Sequence, residues 1–549
     1  MPQLDLATLH EAIAAAVPER ECLIWRDRRM TWRDVTERTR RLARVLHGHG
    51  LGLRGDPAAV QPWESPHDHL ALYLHNGPEY LEGLLAAHKA RMAPFNVNYR
   101  YVDEELAQLF ADARPRAVLY HARFADVITR VAARLDPPPL LLQVADESGN
   151  EVPPGALDYE TALAAASDEP LTAEGVHPSP DDLHLLYTGG TTGLPKGVLW
   201  RIGDLITGPL GLRDRDGTPI TDLQKAVDNA VRTDARVLVG PPLMHGAGTW
   251  SALGGWCFGA TVIFPDTVDG LDADDLLATA ARERATRLPL VGDAFARPLA
   301  DAVERGDHDL TSVRSLVNSA AAIDPGVERR LLAGMPNARV TDVLGSSESG
   351  FQVTRRGTGR HPFRPAPGAA VLSADRKRRL KPGVPGDSGE SGELGWLAKG
   401  GAIPLGYLND PKRTADTFLV VDGERLVVPG DRARLLDDGM IEVHGREATV
   451  INTGGEKVFA EEVEGVLRGL PGVTDALVVG RPSERWGTEI VAVLRPADAP
   501  DDATLREGCA ERLARYKIPK LFVRTDRSLR LPNGKADYAA ARALVPRPD

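Results

Sequence analysis

Tyr187-Thr-Gly-Gly-Thr-Thr-Gly-Leu-Pro-Lys-Gly-Val198 gathers four glycines and three threonines around one lysine, directly after the mostly apolar run 183–186. Glycines let a backbone turn tightly and bring its N–H groups close to a bound anion. Threonine hydroxyls add donors, and Lys196 adds a mobile positive charge. Such a stretch suits a polyphosphate and points to an enzyme that uses a nucleotide. It is not the Walker A pattern, which needs Gly-Lys followed by Ser or Thr at the head of a helix. Here Lys196 stands between Pro195 and Gly197. Taken alone, a flexible surface loop explains the same composition, so the decision passes to the rest of the chain.

The chain has 549 residues, too many for one compact core, and should divide into several domains or subdomains. Its 42% hydrophobic and 26% charged residues are ordinary for a globular protein. A formal net charge of −11 and the lack of a long basic tract argue against nucleic-acid binding. The run Arg376-Lys-Arg-Arg379 reads as a solvated basic loop. Cys22, Cys257 and Cys509 are far apart and form no C-x-x-C pair, so neither a disulfide framework nor a structural zinc site is expected. A reducing cytoplasm fits that usage. Residues 1–20 lack a basic segment followed by an apolar core, and no run of about 18 apolar residues occurs. Neither a secretory signal nor a stable membrane span is expected.

Residues 31–46 show apolar positions at helical spacing behind a Thr cap. Residues 70–74, 117–120, 140–144, 237–242, 260–264 and 313–317 read as strands, and residues 82–90 as a helix. Such alternation predicts an α/β fold built on a largely parallel sheet. Residues 381–392 are dense in turn formers and precede a strand-rich piece, 393–443. Past Gly445, residues 458–470 and 504–514 read as helices, and 476–480 and 490–494 as strands. We therefore expect a large N-terminal domain of layered α/β subdomains, 1–445, and a small mobile α+β domain, 446–549.

Further segments follow in a telling order. They are Pro241-Pro-Leu-Met-His-Gly-Ala-Gly-Thr-Trp250, Asn318-Ser-Ala-Ala-Ala-Ile-Asp324 and Asp342-Val-Leu-Gly-Ser-Ser-Glu-Ser-Gly350. Then come Gly392-Glu-Leu394 with Gly406-Tyr407, Pro429-Gly-Asp431, Gly445-Arg446 and Leu531-Pro-Asn-Gly-Lys535. With the opening stretch, this series resembles the adenylate-forming superfamily of acyl-CoA synthetases, luciferases and peptide-synthetase adenylation domains. The resemblance spans essentially the whole chain. It implies an ATP-dependent acid–CoA ligase, with ATP, Mg²⁺ and coenzyme A beside a small carboxylic or other oxyacid, and it is compatible with a homodimer.

The resemblance also implies roles. Lys535, Glu348 and His245 would be the catalytic groups, with Glu348 and Thr188 near the metal. Thr188, Gly189, Gly190, Thr191, Thr192, Gly193 and Lys196 would wrap the phosphates. Ala321, Ala322 and Ile323, with Asp342, Val343, Leu344, Gly345, Ser346 and Ser347, would line the adenine and α-phosphate. Asp431 would accept from the ribose hydroxyls, as an ionised carboxylate does well. Arg446 would contact the nucleotide at the domain boundary, and Gly454 and Gly455 would flank the path of the CoA arm. Arg481, Arg485 and Trp486 could meet the CoA nucleotide, with ordinary surface residues an equal reading. His245 as a packed histidine and Lys535 as a solvated charge are the plainer alternatives.

Leu344 stands where the family has Tyr, so it lacks an aromatic face for adenine. Ala448 stands at the usual Asp or Lys hinge, where adaptable backbone is what matters. The motifs 345–350 and 451–458 look most like a bacterial subgroup acting on fatty acids and steroid side-chain acids. An adenylate-forming enzyme that serves an acceptor other than CoA (an amine, a carrier thiol or, with nitrite-type activation, an unusual oxyacid) and a non-catalytic nucleotide-binding protein remain as alternative readings. A serine hydrolase is excluded by the lack of a G-x-S-x-G elbow.

Overall fold

The computed structural model describes residues 3–546 except 102, 191–192, 215, 307, 320–322, 358–360, 383–391, 447–449, 454–455, 484–486, 497, 514 and 533. Two large sheets carry most of the N-terminal part. In the first, the strands His69–Tyr73, Ala93–Asn96, Ala117–His121, Leu140–Val144 and Leu157–Asp158 run parallel, joined to Leu183–Gly190 through Ala93–Asn96. Gly193–Arg201 and Gly406–Tyr407 close one edge antiparallel. In the second, Glu21–Trp25, Thr261–Phe264, Arg236–Leu238, Arg287–Leu290, Ser315–Asn318 and Arg339–Ser346 run parallel. Antiparallel edges, Arg28–Thr31 and Gly350–Arg356, flank them.

Sequence accounts for the elements that matter here. The helix Trp32–Gly48 starts at Thr31, whose hydroxyl accepts from the Asp34 N–H while Asp34 accepts from the Thr31 N–H. This reciprocal cap satisfies two otherwise orphaned donors. Parallel strands covered on both faces must be apolar throughout, and His69–Tyr73 and Ala117–His121 are buried at every position. The helix Pro78–Lys89 is likewise buried along its whole length, between the sheets.

The stretch that opened the sequence reading is more regular than a loop. Leu183–Gly190 and Gly193–Arg201 form an antiparallel hairpin, with Tyr187 opposite Gly197 and Thr188 opposite Lys196. Turn-forming composition concealed the second strand. The expected helix at 458–470 is shorter, Ala460–Arg468, because Val458 belongs to the strand Glu456–Phe459.

A third, six-stranded sheet spans Ala369–Leu372 to Ile441–Arg446. Beyond it, residues from Ile451 to Phe522 share a core of their own, including Val463, Leu467, Val478, Ile490 and Leu505. The three-stranded sheet Asp475–Ser483, Gly487–Arg495 and Leu521–Arg524 backs that core.

Several histidines are buried neutral in the N-terminal part. Burial pulls His69 and His184 down to about 4 and His10 to about 3. In the unfolded chain they protonate near 6.5. Their share of stability is therefore complete above about pH 6.5 and is lost as pH falls toward 4. The urea midpoint should decline steadily from pH 7 to pH 5, and a flat profile across that window would contradict the buried-neutral assignment.

Candidate active site

The phosphate hairpin is pinned at its base. The Tyr187 hydroxyl donates to Asp112 Oδ2 at 2.6 Å. Its ring lies over Gly197, where a Cβ would come within 2.8 Å of the ring. That close approach is why the residue across from Tyr187 is glycine. Lys196 is half-buried and sits with Nζ 5.7 Å from the centre of the Tyr407 ring. Thr188 lies beside it on the opposite strand. The backbone of Gly189, Gly190 and Gly193 runs through the hairpin tip, while Thr191 and Thr192 lie outside the described residues.

A second hairpin, Arg339–Ser346 with Gly350–Arg356, carries Glu348 in its turn. Gly345 must be glycine because a Cβ there would strike the Gly350 carbonyl, and Gly350 itself has φ of +60°. The turn is braced from three sides. Trp200 Nε1 donates to the Ser347 carbonyl at 2.9 Å. The Ser346 N–H donates to Ser349 Oγ at 3.1 Å. The buried Lys399 ammonium donates to the carbonyls of Ser349 and Phe351 at 2.9 and 2.7 Å. Burial, with Arg213 adding to it, brings Lys399 down to about 8.

Tyr407 joins the two hairpins. It pairs with Val198 on the phosphate hairpin, and its hydroxyl donates to Glu348 Oε1 at 3.0 Å. Burial and the Glu348 carboxylate both push its phenol well up, so it remains a donor. The sequence marked Gly406-Tyr407 only as part of the motif series; its partner became visible in the fold.

His245 begins the helix Gly246–Cys257 as its N-cap. It is half-buried, and its buried Nε2 has no hydrogen-bond partner among the described residues. Burial lowers its pKa to about 4, with the positive charges of Lys535 and Arg100 adding to the effect. Lys535, at the other end of the chain, therefore acts electrostatically on the imidazole. It follows a tight turn in which the Gly534 N–H donates to the Leu531 carbonyl at 2.8 Å. The helix behind His245 carries Trp250, whose ring meets Trp200 and Phe351 edge-on at 6.5 and 6.3 Å. These three rings form an aromatic cluster that the sequence did not signal.

Other expected contacts take definite positions. Asp431 is buried at the start of the strand Asp431–Leu435, directly across the ladder from Arg446, whose side chain lies outside the described residues. The Asp342 carboxylate accepts from Arg355 at 2.7 Å and from Asn318 at 2.8 Å, so its side chain is committed within the sheet. Ile323 and Val343 are buried. Leu344 packs on the small core of Val353, Phe363 and Leu397. Arg481 is paired with Glu489. Ala321, Ala322, Ala448, Gly454, Gly455, Arg485 and Trp486 lie outside the described residues.

Among the described residues no group of three His, Cys, Asp or Glu side chains is placed to hold a metal ion. Glu348 and Thr188 instead offer single hard oxygens beside a phosphate hairpin. That donor set fits Mg²⁺, which is commonly held by one or two carboxylates plus substrate phosphates and water.

Comparison with known proteins agrees with this layout. The family described as AMP-binding enzyme matches residues 10–407, and the AMP-binding enzyme C-terminal domain matches residues 462–535. The medium-chain acyl-CoA ligase Mig of Mycobacterium avium is 46% identical, over 97% of this chain and 96% of its own. A Mycobacterium tuberculosis ligase named for medium/long-chain fatty acids and 3-oxocholest-4-en-26-oate is 35% identical, over 98% and 96%. Among solved structures, ATP-bound MatB from Rhodopseudomonas palustris aligns with a TM-score of 0.77 over 98% of this chain and 99% of that one, at 23% identity. The chain belongs to the AMP-binding enzyme family. Within it the chain is an AMP-forming acid–thiol ligase, and the non-CoA acceptor and non-catalytic readings find no support among these relatives.

Tyr407→Phe removes one hydroxyl and leaves the ring under Lys196. Hydrogen bonds to charged groups contribute about 1.5–3 kcal/mol. We expect kcat/KM for MgATP to fall roughly 10- to 100-fold, with a thermal midpoint lower by a few degrees. Unaltered steady-state kinetics would remove Tyr407 from the site.

Proposed function

We propose that this ligase activates an apolar carboxylic acid, either a medium- to long-chain fatty acid or a steroid side-chain acid, and transfers it to CoA through an acyl-adenylate. The names of the two relatives above support that class of acid. A cytoplasmic setting is consistent with three buried free cysteines and with the need for ATP and CoA. The observation that carries the chemistry is the tie between the phosphate hairpin and the Glu348 turn, made by Tyr407, which pairs with Val198 and donates to Glu348 Oε1 at 3.0 Å.

ATP and a carboxylate repel each other, so the first half-reaction needs fixed positive charge and aligned atoms. Backbone N–H groups of the phosphate hairpin, Thr188 and Lys196 hold the polyphosphate. Bound Mg²⁺, when present, neutralises phosphate oxygens, and Glu348 and Thr188 are the residues that would hold it. Ile323, Val343, Leu344, Gly345, Ser346 and Ser347 border the adenine and α-phosphate chiefly through backbone, together with Ala321 and Ala322. Asp431 takes the ribose hydroxyls and Arg446 adds charge nearby.

His245 stays neutral down to about pH 4. A neutral imidazole can donate one hydrogen bond to the acid without protonating it. A carboxylate oxygen attacks the α-phosphorus, the bond to the pyrophosphate oxygen breaks, and pyrophosphate leaves. Lys535 stabilises charge on both the attacking carboxylate and the phosphate.

In the second half-reaction residues 446–549 rotate as a small domain about the segment near Ala448. Lys535 withdraws, and Gly454 and Gly455 approach the CoA arm. The CoA thiol gives up its proton to solvent, its sulfur attacks the acyl carbon, and the acyl C–O bond to the phosphate breaks so that AMP departs and the thioester remains. Lys535→Ala should reduce acid-dependent ATP–pyrophosphate exchange by roughly 10²- to 10³-fold. Thioester formation from supplied acyl-adenylate should persist. Exchange at the wild-type rate would overturn the role given to Lys535.

A further inference from the structure

Two buried asparagines that no motif marks stand just past the ends of neighbouring parallel strands. Asn96 closes the strand Ala93–Asn96, and Asn76 follows His69–Tyr73. They are 8% and 3% exposed. Ligands in open α/β sheets gather at these carboxyl ends.

The Asn96 carboxamide is fully used. Its Oδ1 accepts the Tyr187 N–H at 2.7 Å. Its Nδ2 donates to the Tyr187 carbonyl at 2.8 Å and to the Met244 carbonyl at 2.6 Å. One side-chain amide thus imitates a strand partner for Tyr187 and extends the same contact to the residue before His245. Asn76 completes the arrangement. Its Oδ1 accepts the Leu243 N–H at 2.7 Å, and its Nδ2 donates to the Pro241 carbonyl at 3.1 Å.

Residues 239–245 lie outside any strand, and Pro241 and Pro242 have no N–H to offer. Buried backbone groups need partners, and here two carboxamides supply several of them. Tyr187 immediately precedes Thr188 of the phosphate hairpin, and Met244 immediately precedes His245. The distance between the phosphate grip and the imidazole is therefore spanned by a single side chain.

We propose that Asn96, seconded by Asn76, is a positioning residue that holds the acid-binding His245 in line with the ATP-binding hairpin. The inference rests on the adenylation reading above. Misplacement of about 1 Å in such a reaction can cost about 10²-fold in rate. Asn96 touches neither substrate in this account and acts through Tyr187 and Met244.

The experiment compares the full-length wild type with Asn96→Ala, and uses Asn76→Ala, which releases the second anchor of the same segment, where the first variant does not fold. Each is read in two ways. In ATP–pyrophosphate exchange with a fatty acid, kcat should fall about 10²-fold while KM for ATP changes less than about threefold. In histidine-selective NMR, which needs no turnover, the His245 titration should move up from about 4 toward 6.5, while His69 and His184 remain near 4. A kcat within about threefold of wild type overturns the proposal. So does a joint shift of all three histidines, which would mean general loosening. Absence of acid-dependent exchange in the wild type would refute the adenylation reading, and the NMR comparison would still decide the positioning.

Discussion

Charge repulsion between a carboxylate and a nucleotide triphosphate is the constraint around which this molecule is arranged. The answer is not a dense cluster of cations on one element. In the proposed reading Lys196 comes from a hairpin in the first sheet and Lys535 from a turn near the other end of the chain. Each cation is useful only if the neutral frame between them is rigid, because fixed charges cost no reorganisation when the reaction occurs.

That frame is largely made of hydrogen bonds to backbone. The Glu348 turn is held by Trp200, by Ser349 and by a buried lysine that gives up water for two carbonyls. Burial, with the Arg213 charge adding to it, lowers the Lys399 pKa. Tyr407 then ties this turn to the phosphate hairpin, and Asn96 ties the phosphate hairpin to the histidine segment. Three hairpin and loop segments are thereby joined, with Gly197, Gly345 and Gly248 standing where another part of the chain approaches closely.

The sequence disclosed the pieces whose chemistry is local. A Gly- and Thr-rich stretch with one lysine announces a phosphate grip by composition, and alternating apolar runs announce parallel strands. The same composition hid the strand Gly193–Arg201, because its glycines and proline read as turn formers although they pair with Leu183–Gly190 in a hairpin. Tyr407 was visible as a motif, but its bond to Glu348 joins residues far apart in sequence. Asn76 and Asn96 gave no signal, since an asparagine that caps a turn and one that replaces a strand look alike in one dimension. Leu344 stood out only as a departure from the family's Tyr; its packing toward Val353, Phe363 and Leu397 follows from the pairing of Arg339–Ser346 with Gly350–Arg356.

The central claim is that activation and transfer are separate events on one site. A rapid-quench single turnover with enzyme in excess, MgATP and a labelled fatty acid, run first without CoA and then with it, tests this most directly. The account predicts acyl-adenylate and pyrophosphate in equal amounts before CoA is added, and their conversion to thioester and AMP afterwards. Release of ADP and inorganic phosphate, or no acid-dependent product until CoA is present, would contradict it.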